Sequence, residues 1–173
     1  MDDERTDLQL TEAIRIGDQQ AFKALFHKYY SKLFRYAVIH CGSRDFSTDL
    51  IEEVFFRLWT NREKLNPQKS IQAYLYKILN NLIINHKKLA SASNVSIEHV
   101  SQQKTFEISN QLETQIDLRT ALEKLPNKLK FIFVLIKVEG MKYNEAAKIC
   151  NISVKAVEKR MTKALNLLRN HLS

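Results

Sequence analysis

The sequence predicts an all-α fold: two small helical domains, residues 1–90 and 118–173, joined by a flexible linker over 91–117. Three observations predict it. Apolar residues recur at three- and four-residue steps, with no convincing strand alternation anywhere. The three glycines and two prolines (Gly17, Gly42, Pro67, Pro126, Gly140) all fall where such a pattern stops, which keeps breakers out of element interiors. Residues 91–117 lose the pattern and turn rich in Ser, Gln and Asn.

The first helix, about Leu8 to Ile16, ends at Gly17, and Asp18 can then cap the second by accepting backbone N–H bonds. From Phe22 the second helix carries Leu25, Phe26, Tyr29, Leu33, Tyr36 and Ala37 on one stripe. After Gly42 a third helix turns Leu50, Ile51, Val54, Phe55 and Leu58 inward, leaving Asp49, Glu52, Glu53, Phe56 and Trp59 on its other side. A break at Asn66-Pro67 precedes Ser70, the expected cap of a long fourth helix. That helix is expected to bury Ile71, Tyr74, Leu75, Ile78, Leu82 and Leu89, and to turn Lys77, Asn81, Asn85 and Lys88 outward. These four helices make one domain. The stretch beginning Ser91-Ala92-Ser93-Asn94 cannot bury enough apolar surface to offset its ordering entropy, so it reads as a linker. Periodicity resumes with Leu118, Leu122 and Leu125, stops at Pro126, and returns in Leu129, Ile132, Phe133 and Ile136 up to Gly140.

The most informative stretch is Met141 to Leu168. A short helix, Tyr143 to Cys150, presents Ala146, Ala147 and Ile149. Asn151 follows where a left-handed turn residue is needed, Ile152 plugs the turn, and Ser153 is placed to cap a second helix. That helix is expected to bury Val157, Met161, Ala164, Leu165 and Leu168. Its remaining face holds Lys155, Glu158, Lys159, Thr162 and Lys163. This is the layout of a helix-turn-helix, whose second helix can enter a major groove and place such side chains on base edges or phosphates.

Charge supports a polyanionic partner. The chain of 173 residues has a net charge of +8. Residues 118–173 hold 12 basic and 4 acidic side chains, whereas residues 91–117 hold Lys104 against four acids. Residues 61–90 add a second basic zone, with Arg62, Lys64, Lys69, Lys77, Lys87 and Lys88 against Glu63 alone.

Two groups of residues resemble a known family. Gly140 to Ala147, Asn151 to Val154, Val157 to Arg160 and Leu165 to Arg169 look like the promoter −35-binding module of the sigma-70 family. More narrowly, they are similar to its extracytoplasmic-function branch, of the iron-transport-regulator type. Phe22 to Tyr36, with its Tyr29-Tyr30 pair, and Asp49 to Trp59 resemble the family's core-polymerase-binding helices. Ala73 to Ile78 with Asn81-Leu82 resembles its promoter-melting helix. Lys142, Tyr74 and Glu158 depart from the pattern, standing where a Ser cap, a Trp and a basic residue are common.

The resemblance implies a bacterial RNA polymerase sigma factor, with core polymerase and promoter DNA as partners and an inhibitory anti-sigma factor as a further one. Asp49, Glu52, Glu53, Phe56 and Trp59 would then dock on the polymerase. Tyr76, Lys77, Asn81, Asn85, Lys87 and Lys88, with the loop Asn61 to Ser70, would engage the −10 element, Tyr76 as a stacking platform. Ser153, Lys155, Glu158, Lys159, Arg160, Thr162 and Lys163 would meet the −35 element, with Lys155 and Arg160 nearer the phosphates. The linker would thread the polymerase cleft.

Other classes fit less well. His27, His40, His86, His99 and His171 lack metal-ligand spacing, and neither Cys41 nor Cys150 pairs with one. There is no glycine-rich phosphate loop, and the adjacent Glu52 and Glu53 diverge by about 100° on a helix instead of converging as an acid–base pair. The reading is therefore of no enzyme, cofactor, metal or small-molecule substrate. A stand-alone helix-turn-helix regulator is the main alternative, yet it would need a dimer seam that the sequence does not supply. The unpaired cysteines, the acidic start and the absence of a long apolar run predict a cytoplasmic protein.

Overall fold

The computed structural model describes residues 5–92 and 120–172, and the chain divides into two compact units, Met1–Ser101 and Gln102–Ser173. The linker expected at 91–117 lies outside the described residues apart from its first two. Every regular element among the described residues is helical.

In the first unit, local capping chemistry sets the helix starts. α1 (Asp7–Arg15) begins with a capping box: Gln9 N–H donates to Thr6 Oγ1 at 3.3 Å and Thr6 N–H to Gln9 Oε1 at 2.8 Å. The Asp18 carboxylate accepts from Gln20 and Ala21 N–H (2.8 and 3.1 Å) at the start of α2 (Gln19–Cys41). α2 stops at Gly42, whose φ of 74° is left-handed and whose N–H returns to the Val38 carbonyl at 2.8 Å. Ser43 caps α3 (Arg44–Thr60), and a single 3-10 turn, Arg62–Lys64, follows. Ser70 Oγ accepts from Ala73 N–H at 3.1 Å, as expected, to open α4 (Ile71–Ala92). α2 packs on α1, α3 and α4, and α3 packs on α4. Leu10, Ile14, Leu25, Leu33, Tyr36, Ile51, Leu58, Leu75 and Leu79 form the core.

α4 corrects the sequence reading of its phase. Its buried residues are Ile71, Leu75, Tyr76, Leu79 and Ile83, while Tyr74, Ile78 and Leu82 are half-buried. The helix is apolar over most of its circumference, so periodicity admits several phases, and contact with both α2 and α3 decides among them. Leu89, expected inside, is 70% exposed. No residue from 84 to 89 is buried, so the last turns of α4 run beyond the core.

The second unit begins with helical residues 120–124. Pro126 precedes α5 (Asn127–Phe133), which runs into a π-helical turn, Val134–Val138. Phe131 through Leu135 are all buried, so this element has no solvent side over five positions and its sequence carries little phase information. α6 (Tyr143–Cys150) and α7 (Val154–Leu172) complete the unit, and α7 packs on both α5 and α6. Val157, Met161, Ala164 and Leu168 of α7 are buried as expected. Leu165, expected with them, is 39% exposed, because it sits one residue and about 100° past Ala164. Among the described residues no helix is long and apolar enough to cross a membrane.

Candidate nucleic-acid interface and docking face

The turn between α6 and α7 is built as its sequence requires. Asn151 adopts φ 53° and ψ 47°, and Ile152 N–H closes back on the Ala147 carbonyl at 3.1 Å. Ser153 Oγ accepts from Ala156 N–H at 3.2 Å. At the other end of α6, Lys142 offers no side-chain acceptor. The Glu145 carboxylate instead takes the Lys142 N–H at 2.8 Å, half of a capping box, at a helix start that lacks the Ser cap common there. The two helices are therefore locked through backbone and side-chain bonds within the turn, and α7 presents a defined face.

That face holds Lys155, Glu158, Lys159, Thr162 and Lys163, all exposed, with Ser153 exposed at its head and Arg160 half-buried at its side. Among the described residues none of Lys155, Lys159 and Lys163 is held in an ion pair, so their ammonium groups face solvent. Thr162 Oγ1 donates to the Glu158 carbonyl at 3.0 Å, which commits its proton and leaves its lone pairs to accept. Behind this surface, burial pushes the Cys150 thiol up to about 11, an effect partly opposed by the Arg160 charge.

In the first unit, Lys77, Asn81, Asn85 and Lys88 of α4 are exposed at steps of four, four and three, one polar stripe. Lys87 is half-buried beside it. Tyr76 is the correction: it is fully buried, with its ring edge-on to Tyr36 at 5.3 Å, and cannot offer a face to a base without leaving the core. His86 is exposed and lies 4.0 Å from the Phe46 ring, on the helix that carries the stripe. In the loop before α4, Leu65 is buried as a plug. Asn66 Oδ1 accepts from Gln68 N–H at 3.0 Å, and the Asn66 carbonyl accepts from Lys69 N–H at 2.9 Å. This turn leaves Asn66, Gln68 and Lys69 exposed.

On α3, Asp49, Glu52 and Phe56 are exposed and Trp59 is half-buried, at steps of three, four and three. Phe56, 64% exposed, is the large apolar group of this stripe. Glu53 sits to its side and is engaged within its own helix by Arg57 Nε at 2.6 Å. Trp59 contacts Phe22, ring centroids 5.0 Å apart, and the Arg62 guanidinium, 4.7 Å from its ring centroid. Sequence reasoning counted Arg62 in the basic zone but missed its contact with Trp59. The available signal was its position three residues after Trp59 at a helix end, a spacing that lets a guanidinium reach an indole.

The models of two regions of one family match this chain, one in each unit: "Sigma-70 region 2" over residues 25–92 and "Sigma-70, region 4" over residues 115–168. The chain belongs to the sigma-70 family. Its relatives place this sigma factor in the extracytoplasmic-function (ECF) type. The ECF RNA polymerase sigma-E factor of Escherichia coli K12 is 25% identical over 186 residues, covering 98% of this chain and 96% of that protein. The ECF sigma factor EcfG of Rhodopseudomonas palustris is 25% identical over 138 residues, covering 77% and 75%. Two solved structures share the fold of this sigma factor at 23% identity. CnrH, in complex with the cytosolic domain of CnrY, has a TM-score of 0.75 and covers 96% of both chains. The sigma factor RpoE of Bartonella quintana, in complex with the anti-sigma factor NepR, has a TM-score of 0.74 and covers 88% of this chain and 97% of its own. The narrower likeness to the iron-transport-regulator type rests on the sequence motifs alone.

Proposed function

We propose that this sigma factor divides promoter recognition between its two units and holds core RNA polymerase with the α3 stripe of the first. As a sigma-70 family member it directs the core enzyme to promoters and initiates DNA-templated transcription. Asp49 and Glu52 offer carboxylates to a basic partner surface, and Phe56 supplies exposed aromatic area of the kind that anchors interfaces. Glu53, turned into its ion pair with Arg57, contributes less. Lys77, Asn81, Asn85 and Lys88, with Lys87 at the margin and the loop 61–70, take the −10 strand by gripping phosphates and reading exposed base edges. Ser153, Lys155 and Arg160 hold phosphates at the −35 element, while Glu158, Lys159, Thr162 and Lys163 face the bases.

The observation that carries this reading is the α7 face: a capped helix of a locked helix-turn-helix whose Lys155, Lys159 and Lys163 are exposed and outside any ion pair among the described residues. The chain supplies specificity and the polymerase supplies the chemistry. Among the described residues no group of His, Cys, Asp and Glu is arranged to hold a metal ion. Its place of work is the cytoplasm, where polymerase and chromosome meet. An anti-sigma factor, like the NepR bound to RpoE of Bartonella quintana, would act on this chain by covering the same faces.

The test mixes the purified chain with core polymerase and a library of promoters. Co-elution with core and run-off transcripts from a subset of templates are expected. Tight binding to duplex DNA alone, with indifference to core, would instead establish a stand-alone regulator.

A further inference from the structure

Trp59 ends the docking stripe, and Arg62 opens the loop that leads to α4. One guanidinium joins them. It lies over the indole at 4.7 Å and donates from Nη1 to the Trp59 carbonyl at 3.0 Å. Its other neighbour is weak: Nη2 reaches the Glu63 carboxylate only at 4.0 Å, and that side chain is largely exposed. Nε is buried and meets no hydrogen-bond acceptor among the described residues, so Trp59, through ring and carbonyl, is the main hold on this cation. The backbone then passes the constraint onward. Lys64 N–H donates to the Asn61 carbonyl at 3.0 Å and Leu65 N–H to the Arg62 carbonyl at 3.1 Å, setting the buried Leu65 from which Asn66, Gln68 and Lys69 project.

We propose that Arg62 is a positioning residue: its guanidinium clamps the 61–70 loop onto Trp59, so that polymerase docking on α3 fixes the loop where it can hold the unpaired −10 strand. The proposal rests on the reading of α3 and of the loop given above. Trp59 is coupled to Arg62 through its ring and its carbonyl, and its ring also packs against Phe22, centroids 5.0 Å apart. A contact on the stripe is thereby transmitted to the loop through two packed groups and one hydrogen bond. Arg62 is not among the buried residues of the first unit's core, and the turn that carries it also packs against α1.

The experiment uses holoenzyme assembled from core polymerase and the full chain, wild type or carrying Arg62→Ala or Arg62→Lys. Three affinities are measured: chain for core, holoenzyme for a single-stranded −10 oligonucleotide, and holoenzyme for a duplex −35 fragment. Arg62→Ala is expected to weaken strand binding about two- to thirty-fold, the span of a cation–π contact. It should leave core and −35 binding within about twofold, the low end of that span. Arg62→Lys, which keeps a cation able to sit over the indole, should recover part of the loss. Permanganate reactivity of promoter thymines should fall and recover in parallel. Unchanged strand binding in Arg62→Ala overturns the proposal. So does an equal loss of core affinity, which would make Arg62 a support of the docking face alone. A wild-type holoenzyme that holds no −10 strand would remove the reading of the loop itself and the proposal with it, a result distinct from a defect confined to the variant.

Discussion

At the residue scale, what matters is which side chains remain available once local partners are counted. Lys159 and Lys163 are exposed, four residues apart on one face of α7, and outside any ion pair among the described residues. Lys159→Ala and Lys163→Ala should each cost about 1–3 kcal/mol in −35 recognition if the ammonium meets a base edge. Competition between promoter variants for the holoenzyme measures this, and the loss should be confined to one or two base positions. Cys150 makes the opposite case. With its thiol raised from 9.0 to about 11 by burial, it is almost wholly protonated at neutral pH. Its alkylation at mildly alkaline pH should be roughly tenfold or more slower in the native chain than in urea, since the thiolate is the nucleophile. The linkage has a sign too. Stability drawn from the protonated thiol is complete below the unfolded value of 9.0 and is lost as pH rises toward 11.

At the element scale, the helix boundaries were legible because they are set by neighbours in sequence. Asp18, Ser70, Asn151 and Ser153 each act within three or so residues, and each does what its chemistry foretold. Facing was legible where a helix has one wet side, as on α3, whose Leu50, Ile51, Val54, Phe55 and Leu58 are all buried as expected, and on α7 apart from Leu165. On α4 the sequence offered several phases, and packing against α2 and α3 placed Tyr76 inside and Leu89 outside. The Glu53–Arg57 pair and the Arg62–Trp59 contact were missed for another reason: side-chain partners within reach compete, and spacing alone does not name the winner. The caps yield predictions of their own. Ser153→Ala should destabilise the second unit by about 1 kcal/mol, and Gly42→Ala the first by about 1–2 kcal/mol, because its φ of 74° is costly for a residue with a Cβ. Urea unfolding reads both. The Asp18 carboxylate is held below its usual 3.8, first by the Ala21 N–H bond and further by Arg5 and the Gln20 N–H. Its contribution is therefore present above 3.8 and lost as pH falls through the lower native value. Asp18→Asn, which keeps a capping oxygen, should flatten the acid limb of stability below pH ~4.

At the scale of the whole molecule, the two basic faces belong to separately packed units, one matching region 2 and the other region 4 of the family. Two grips on one polyanion make a quantitative demand on salt dependence. Each phosphate contact that a lysine makes releases condensed counterions, so the slope of log K against log salt changes by about 0.9 per contact. Lys88, at the exposed end of the α4 stripe, and Lys155, in the first turn of α7, are the phosphate-facing candidates on the two units. Lys88→Ala and Lys155→Ala, each assayed as holoenzyme on a full promoter, should each make the slope shallower by about one. The double variant should lose about two, with free-energy costs that add to within about 0.5 kcal/mol if the two sites act independently. Changing −35 bases should leave the Lys88→Ala effect on the slope intact, because phosphate contacts carry no sequence information. A slope that responds to only one of the two substitutions would mean that a single unit touches DNA, and the division of labour between the units would fall.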